Sequence, residues 1–354
     1  MRIGDRTIEA GRAPYVIAEI GVNHDGRLDK ALALIELAAK AGADAVKFQH
    51  FDASRLMSED AVLAAYQRTS GESDPIAMLD RLALTTDELA RCARCAHKNN
   101  VHAIVSVFST ELVGDALRTG WDAFKSASPD VVHRDLLLAM ASTGLPLIVS
   151  TGASEAAEVE RARGWLEPYA ERVAFLQCVS SYPAPPEDAH VGAIADIAAI
   201  VSPCPIGYSD HTTDTLAGFA AARHGAVILE KHFTDDRSGV GPDHAASLEP
   251  SAFAQYVHFA TRTAREARDT YFDERLVGDA TKRVHDVERD VRRVSRQSLV
   301  ATRDIAAGET IGGGDLTVKR PGTGIEPWRS GEVVGRRAAR DIGADRVVFA
   351  EDLA

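Results

Sequence analysis

Short apolar segments alternate with segments of helical spacing through most of this chain, and this alternation limits the possible folds more than any other feature. Eight segments have the length and composition of buried strands, and each precedes a helix-like segment. The strands are predicted at residues 15–20, 45–49, 101–108, 123–127, 147–150, 173–178, 206–212 and 228–234. Eight such units in succession predict an α/β fold of the (β/α)8 (TIM) barrel type, which typically takes about 250 residues.

The barrel is predicted to occupy residues 1–275, with a long irregular segment at residues 50–85 and a last helix at residues 250–270. A doubly wound open sheet is the structural alternative, because a sequence does not show strand order. No G-x-G-x-x-G motif follows any of the strands, which weakens the dinucleotide-binding form of that alternative.

The composition and the residue pattern of the sequence change after the predicted barrel. Residues 276–294 are densely charged and lack a wide apolar face, so we expect a linker or an exposed helix. Residues 295–354 contain short β-like pieces, such as residues 308–311 and 347–349, between glycine-rich turns. They predict a small, mostly β domain that is too small to be stable without packing on something else.

Composition excludes several classes of function. The formal net charge of −12 argues against nonspecific nucleic-acid binding, which needs a basic surface. Four cysteines in 354 residues do not form a disulfide framework, and Cys92 and Cys95 read as ordinary helix residues. No signal peptide or membrane-spanning apolar run is recognised, so we expect no membrane association and a cytoplasmic location.

Polar and ionisable residues cluster where the predicted strands end, which is the catalytic end of a (β/α)8 barrel. The two final strands are parallel neighbours, and they end in His211 and His232, which together could bind a divalent metal ion. Alternatively, each histidine alone could be a hydrogen-bonded structural residue that binds no metal. Other strand ends supply further candidates, namely Glu19, Lys47, Gln49, Thr110, Lys125, Ser128, Ser180, Tyr182, Ser209 and Glu230.

These residue types together indicate a reaction class. Lys47 and Lys125, with nearby hydroxyl groups, could hold a phosphate or a carboxylate. A metal ion could polarise a carbonyl group, and Glu19 and Glu230 could transfer protons. An anion beside a polarised carbonyl points to aldol-like carbon–carbon bond formation. The alternative is that the two lysines are only ion-paired to Glu19 or Glu230.

Several motifs, in this order, closely resemble the sialic acid synthase family. They are IAEIGVNHDG from Ile17, ADAVKFQ from Ala43, FST from Phe108, GYSDHT from Gly207 and EKHFT from Glu230. The segment VKRPGTGI from Val318 resembles the C-terminal antifreeze-like (SAF, β-clip) domain of the same family. The resemblance covers nearly the whole chain.

The resemblance implies a synthase that condenses phosphoenolpyruvate with an N-acylated mannose-type sugar. It also implies a domain-swapped homodimer and a divalent metal ion, most often Mn²⁺, with Mg²⁺ or Co²⁺ as alternatives. By the same resemblance His211 and His232 bind the metal, Glu19 is catalytic, and Lys47 and Lys125 hold phosphoenolpyruvate. We predict Lys47, Lys125 and Glu230 to be catalytic together with Glu19. The implied substrate-binding residues are Gln49, Thr110, Ser128, Ser180, Tyr182, Ser209, Asp243 and Arg320, the last entering the partner subunit's site.

Two departures from the family pattern lie beside the predicted sugar or phosphate region. His50 stands where threonine is usual, and the run KSASP from Lys125 is less apolar than its counterpart. We therefore expect sugar choice to depend on His50 and Arg320. The acceptor predicted from the resemblance is N-acetylmannosamine or 2,4-diacetamido-2,4,6-trideoxymannose. The alternatives are another aldolase-type barrel enzyme, for example one using a pseudaminic acid precursor, and a catalytically silent sugar-binding protein.

Overall fold

The computed structural model describes residues 1–262 and 271–354. A short antiparallel pair, β1 (Arg2–Ile3) and β2 (Arg6–Thr7), precedes eight parallel strands that form a closed barrel. The barrel strands are β3 (Tyr15–Gly21), β4 (Ala45–His50), β5 (His102–Val107), β6 (Ala123–Ser126), β7 (Leu147–Ser150), β8 (Val173–Cys178), β9 (Ile206–Asp210) and β10 (Ile228–His232). Each strand pairs with the next along the chain, and β10 pairs with β3. The predicted barrel is confirmed, and the open-sheet alternative is excluded.

Helices accompany the barrel strands, and most of them bury their apolar faces against the outer faces of the strands. They are α1 (Leu28–Lys40), α2 (Ala53–Leu56), α3 (Ala65–Thr69), α4 (Pro75–Leu82), α5 (Thr86–Lys98), α6 (Thr110–Arg118), α7 (Arg134–Ser142), α8 (Ala156–Trp165), α9 (Ala193–Val201), α10 (Ala217–Arg223) and α11 (Pro250–Ala260). The helix predicted at residues 250–270 thus begins as expected, and residues 263–270 of that prediction lie outside the described residues. None of the helices in the described ranges is long and apolar enough to cross a membrane.

The amino end of the barrel is filled with apolar side chains. Ile3 and Ile8, from the chain segment before the barrel, pack with the inward-facing Ile17, Ile104 and Ile148 of the strands. This end is sealed mainly by apolar side chains, and the polar side chains that line the cavity lie towards the carboxyl ends of the strands.

The segment at residues 50–85 is not irregular, as the sequence suggested, but contains α2, α3 and α4. Asp52 and Asp74 cap α2 and α4 by accepting hydrogen bonds from backbone N–H groups of the first turn. Apolar residues from this segment form a separate cluster above the barrel with Val22 and Phe108. The segment therefore builds one wall of the barrel mouth.

The C-terminal part of the chain forms a second, small domain. Its β11 (Ser298–Ala301) and β12 (Leu316–Lys319) are antiparallel, and the predicted strand pieces near Thr310 and Val347 form single β-bridges. The domain has its own apolar core, made of Leu299, Ala301, Ile305, Ile311, Ile325, Val333, Ala338, Ile342 and Val348. This agrees with the expected mostly β architecture.

The small domain packs on the barrel wall of its own chain. The Arg320 N–H donates to the Leu56 carbonyl at 2.9 Å, and the Ser58 hydroxyl donates to the Arg320 carbonyl at 2.7 Å. The Asp60 carboxylate accepts from the Val347 N–H at 2.9 Å. The packing that the size of the domain requires is thus supplied by the segment after β4.

The segment before the small domain was predicted to be a linker or an exposed helix, but in the structure it is partly buried. It contains α12 (Arg289–Ser295), and one face of the segment is buried against the barrel through Lys282, Glu288 and Val294. The Glu288 carboxylate can be buried here because backbone N–H groups of the barrel loops donate to it. The sequence could not show those partners.

Candidate active site

A cavity at the carboxyl ends of the barrel strands brings the predicted site residues together. It is lined by Glu19, Lys47, Gln49, Lys125, Ser128, Ser180, Tyr182, Ser209, His211, Glu230, His232, Asp243 and Arg320. The strands position these side chains because successive residues of a parallel strand alternate between the barrel interior and the helices. The cavity is also lined by residues that the sequence did not identify.

Thr110 is the predicted residue that does not line this cavity. It begins α6, and its hydroxyl donates to the Glu111 carboxylate at 3.3 Å. Ser106 occupies the cavity instead, where it accepts a hydrogen bond from the Lys47 ammonium at 2.9 Å. Ser106 follows the inward-facing Ile104 by two residues, so the period-two pattern of β5 could have identified it.

Lys47 and Glu19 form a buried ion pair in the cavity, with Nζ and Oε1 2.8 Å apart. Gln49 donates to the same Glu19 oxygen at 2.9 Å. Burial raises the pKa of Glu19, and the charge of Glu230 adds to the rise despite Lys47. Burial disfavours the charged Lys47, but the Glu19 and Glu230 carboxylates raise its pKa. Lys47 is therefore a cation, and Glu19 holds a proton more readily than an exposed glutamate does.

Lys125 faces Glu230 across the cavity, with Nζ and Oε2 3.8 Å apart. Its ammonium donates to the Ser150 hydroxyl at 2.6 Å, and Ser209 donates to Glu230 at 3.1 Å. Burial and the nearby Lys47 lower the pKa of Lys125. Burial would raise the pKa of Glu230, but the charges of Lys125 and Lys47 lower it. The ion pairing that the sequence left open as an alternative is thus present for both lysines.

The two predicted metal ligands lie side by side, with ring centroids 5.5 Å apart. The His211 Nδ1 is 2.7 Å from the Val179 carbonyl, which leaves Nε2 as its free nitrogen. Burial lowers the pKa of His232 well below its usual value, so this imidazole is neutral. Burial also disfavours charge on His211, but the Cys178 thiol and the Val179 carbonyl raise its pKa to about 9, so a metal ion would displace a proton there.

The residues present fit a site with two protein ligands. His232 Nδ1 has no hydrogen-bond partner in the described chain, and it lies 3.8 Å from the Asp243 carboxylate. No cluster of three or more histidine, cysteine, aspartate or glutamate side chains in the described ranges has the arrangement of a metal site. Substrate and water oxygens would have to complete the coordination. Burial and Glu19 raise the pKa of Asp243 to about 7.

Aromatic rings close one side of the cavity. Tyr182 lies against His211 with a ring-centroid distance of 4.1 Å, and Tyr66 lies against Tyr182 at 4.9 Å. Tyr66 comes from α3, which the sequence assigned to irregular structure, so it was missed. The adjoining wall is apolar and consists of Val22, Phe51, Leu56, Met78, Leu79, Leu82 and Phe108.

Arg320 reaches the cavity from the small domain of the same chain. The resemblance had implied that Arg320 enters the site of the partner subunit. Its guanidinium lies 5.8 Å from the Phe108 ring centroid. Behind it is Asp130, a buried residue that the sequence did not identify. Burial raises the pKa of Asp130 to about 7, although the charges of Arg320 and Lys125 oppose the rise. His50, expected to help choose the sugar, instead lies 3.4 Å from Thr86 and does not line the cavity.

Several buried polar atoms of the cavity residues have no hydrogen-bond partner within the described chain. They are Glu19 Oε2, Ser180 Oγ, Glu230 Oε2, His232 Nδ1 and Arg320 Nε. Unpartnered buried polar groups are few in native proteins, and each costs free energy when left unsatisfied. Their concentration in one cavity indicates that a polar ligand bearing both donors and acceptors completes it.

Comparison with known proteins identifies the family. The NeuB family model matches residues 34–270, and the SAF domain model matches residues 296–354. The spore coat polysaccharide biosynthesis protein SpsE of Bacillus subtilis is 35% identical, covering 99% of this chain and 96% of that protein. Its crystal structure superposes with a TM-score of 0.86 at 31% identity, covering 100% of this chain and 99% of that one. The N,N'-diacetyllegionaminic acid synthase of Legionella pneumophila is 33% identical, covering 96% of this chain and 94% of that protein. This chain therefore belongs to the NeuB family of synthases, which are transferases that form carbon–carbon bonds.

Proposed function

We propose that this protein condenses phosphoenolpyruvate with an N-acylated mannose-type sugar in its open-chain aldehyde form. The products are a nine-carbon 2-keto-3-deoxy acid and inorganic phosphate. The observation that supports this best is the set of buried, unpartnered polar atoms around two ammonium groups in one cavity. Membership of the NeuB family of synthases supports carbon–carbon bond formation as the reaction in that cavity.

Phosphoenolpyruvate is assigned to the polar floor of the cavity. Lys47 and Lys125 supply the positive charge, and four serine hydroxyls supply neutral donors. These serines are Ser106, Ser128, Ser180 and Ser209. Both ammonium groups are already paired with carboxylates, so an incoming phosphate competes with Glu19 and Glu230 for them. Such competition raises the proton affinity of Glu19, which suits a residue that transfers protons.

The reaction follows from this placement. The C3 carbon of phosphoenolpyruvate forms a bond to the aldehyde carbon, and the aldehyde oxygen takes a proton. Water adds to the cation-like C2 and loses a proton. The resulting C2 hydroxyl then gives up its proton as the C2–O bond to phosphate breaks, which leaves the C2 ketone and inorganic phosphate. Lys47 and Lys125 neutralise the charge of the phosphate throughout. Glu19, which contacts Lys47 and Gln49, transfers the protons.

We also propose a divalent metal cofactor held by His211 and His232, with Mn²⁺ as the first choice and Mg²⁺ or Co²⁺ as alternatives. When bound, such an ion would supply Lewis-acid polarisation of the sugar aldehyde. The neutral His232 and the free Nε2 of His211 support this assignment.

The apolar wall favours one acceptor over the other. N-acetylmannosamine presents hydroxyl groups along its chain, whereas 2,4-diacetamido-2,4,6-trideoxymannose adds a methyl group and a second acetyl group. The side chains of Phe51, Met78, Leu79 and Leu82 could bury those methyl groups, but they offer hydroxyl groups no hydrogen-bond partner. We therefore expect the trideoxy sugar to be the better substrate.

We further propose that the protein works as a homodimer with exchanged small domains. Within one chain the small domain already packs at the barrel mouth and delivers Arg320 to the cavity. Domain swapping exchanges identical elements, so the same contacts could form between two chains.

A phosphate-release assay tests the proposed function. It combines phosphoenolpyruvate with each candidate sugar, including the pseudaminic acid precursor, with and without Mn²⁺. We expect release only when a mannose-type sugar is present, a dependence on the metal, and higher kcat/KM for the trideoxy sugar. Binding of sugar without phosphate release would instead identify a silent sugar-binding protein. Turnover that leaves phosphoenolpyruvate unused would identify a different aldolase-type enzyme.

A further inference from the structure

The segment between the two domains carries a carboxylate that is directed into the barrel. Glu288 is completely buried, and its Oε1 accepts hydrogen bonds from the Ala153 N–H at 2.6 Å and the Ser180 N–H at 2.8 Å. Its Oε2 accepts from the His285 N–H at 3.0 Å. One side chain thus joins the loops that follow β7 and β8 to the interdomain segment.

Ala153 is held on both sides of its backbone. It has a φ of +51°, in the left-handed region that costs an alanine about 1 kcal/mol or more. Glu288 fixes its N–H, and the guanidinium groups of Arg292 and Arg296 both donate to its carbonyl, Arg296 at 2.8 Å. The interdomain segment therefore supplies the hydrogen bonds that maintain this conformation.

Of the two loops that Glu288 joins, the loop after β8 bears Ser180 and the loop after β7 contacts Ser128, and both hydroxyl groups are assigned to phosphoenolpyruvate. Ser180 lines the cavity, and the Gly152 N–H donates to the Ser128 hydroxyl at 2.9 Å. The packing is close, since a Cβ on Gly152 would lie 2.3 Å from Ser180 Oγ and 2.8 Å from Ser128 Oγ. Movement of the loop after β7 would therefore disturb both serines, and movement of the loop after β8 would displace Ser180.

We propose that Glu288 is a positioning residue for the half of the site that binds phosphoenolpyruvate. It does not touch the substrate, but it sets the positions of Ser128 and Ser180 by fixing the backbone of the loops after β7 and β8. This inference rests on the proposed function. It gives the interdomain segment a part in substrate binding, in addition to its connection of the two domains.

The test measures phosphoenolpyruvate binding by calorimetry without sugar, and then KM for each substrate. Glu288→Ala removes the acceptor for three buried N–H groups, so we expect KM and Kd for phosphoenolpyruvate to rise about tenfold or more. KM for the sugar should stay within about twofold, because its half of the cavity is untouched. Asp286→Ala is the matched control, since Asp286 is on the same segment with its side chain 90% exposed.

Two conservative variants separate positioning from folding. Glu288→Gln keeps an oxygen that can accept from both N–H groups, so we expect it to recover most of the phosphoenolpyruvate affinity. Glu288→Asp keeps the charge but is too short to reach both loops, so we expect its affinity for phosphoenolpyruvate to stay low. This variant supplies the comparison if Glu288→Ala does not fold. Equal phosphoenolpyruvate affinity in Glu288→Asp, Glu288→Gln and Asp286→Ala would overturn the inference. Failure of the wild-type protein to bind phosphoenolpyruvate would instead overturn the proposed function.

Discussion

The anchoring of the interdomain segment on the barrel predicts a specific dependence of stability on pH. Glu158 on α8 accepts hydrogen bonds from Arg292 at 2.8 Å and from Arg296 at 3.1 Å. Burial alone would raise the pKa of Glu158, but these two guanidinium groups lower it from 4.5 to about 2. A lowered pKa of this size corresponds to roughly 3 kcal/mol of stability when the carboxylate is charged.

The sign of the effect follows from the direction of this shift. The folded protein binds the proton on Glu158 less readily than the unfolded chain does, so the stabilisation is present above pH 4.5 and is lost as pH falls towards 2. Glu158→Gln should therefore lower the free energy of unfolding by roughly 3 kcal/mol at pH 7. The difference from wild type should shrink to roughly 2 kcal/mol at about pH 3.5.

Urea unfolding followed by tryptophan fluorescence measures this difference at each pH. Trp165 ends α8, and Trp328 in the small domain packs on Arg161 of the same helix, so fluorescence is sensitive to both sides of the anchor. Glu160→Gln is the matched control, because Glu160 is exposed on the same helix. A loss in Glu158→Gln that equals the control, or one that does not change between pH 7 and pH 3.5, would refute the electrostatic reasoning.

Three further predictions concern the site. Ser106→Ala should raise KM for phosphoenolpyruvate by about three- to tenfold, because it removes the hydroxyl that Lys47 contacts, whereas Thr110→Ala should not; the reverse order would restore the sequence-based assignment. Gly152→Ala should weaken phosphoenolpyruvate binding by displacing two serine hydroxyls, and unchanged calorimetric affinity would contradict the close packing. His211→Ala and His232→Ala should each abolish metal-dependent turnover and weaken Mn²⁺ binding measured by calorimetry, and retained binding in either would remove that residue as a ligand.

Much of the barrel could be predicted from sequence, because it depends on local patterns. Strand and helix periodicities are properties of consecutive residues, and local signals such as the capping box of Thr85 and Glu88 mark where α5 begins. The short helices at residues 50–85 were missed, although Asp52 and Asp74, the latter followed by a proline, gave the usual signals of a helix start. Helices of one or two turns carry too little periodicity to be recognised by spacing.

The candidate site was predictable where a strand end determines position and not where tertiary contacts do. His211 and His232 follow directly from two neighbouring strands, whereas Thr110 lies one turn too far along the chain and Ser106 takes its place. Glu158 and Arg296 are 138 residues apart, so nothing local indicates that they pair. For the same reason the charges of the interdomain segment suggested solvent exposure, when they mark the face that binds the barrel.

The proposed exchange of small domains can be decided by complementation, since Arg320 and Lys47 belong to different domains but line one cavity. Lys47→Ala removes the lysine that the barrel contributes to the site, and Arg320→Ala removes the arginine that the small domain contributes. In an exchanged dimer of one chain of each kind, one site contains both substitutions and the other contains neither. Random pairing after the two variants are refolded together should therefore restore about a quarter of the wild-type activity.

If the small domain serves its own barrel in solution, every site in the mixture lacks either Lys47 or Arg320. The refolded mixture should then be no more active than the separate variants. The control is Lys47→Ala refolded with Gln49→Ala, because both residues lie on β4 and no exchange of small domains can produce an intact site. Recovery in the first mixture but not in the second would establish exchange, and recovery in neither would establish that each chain completes its own site.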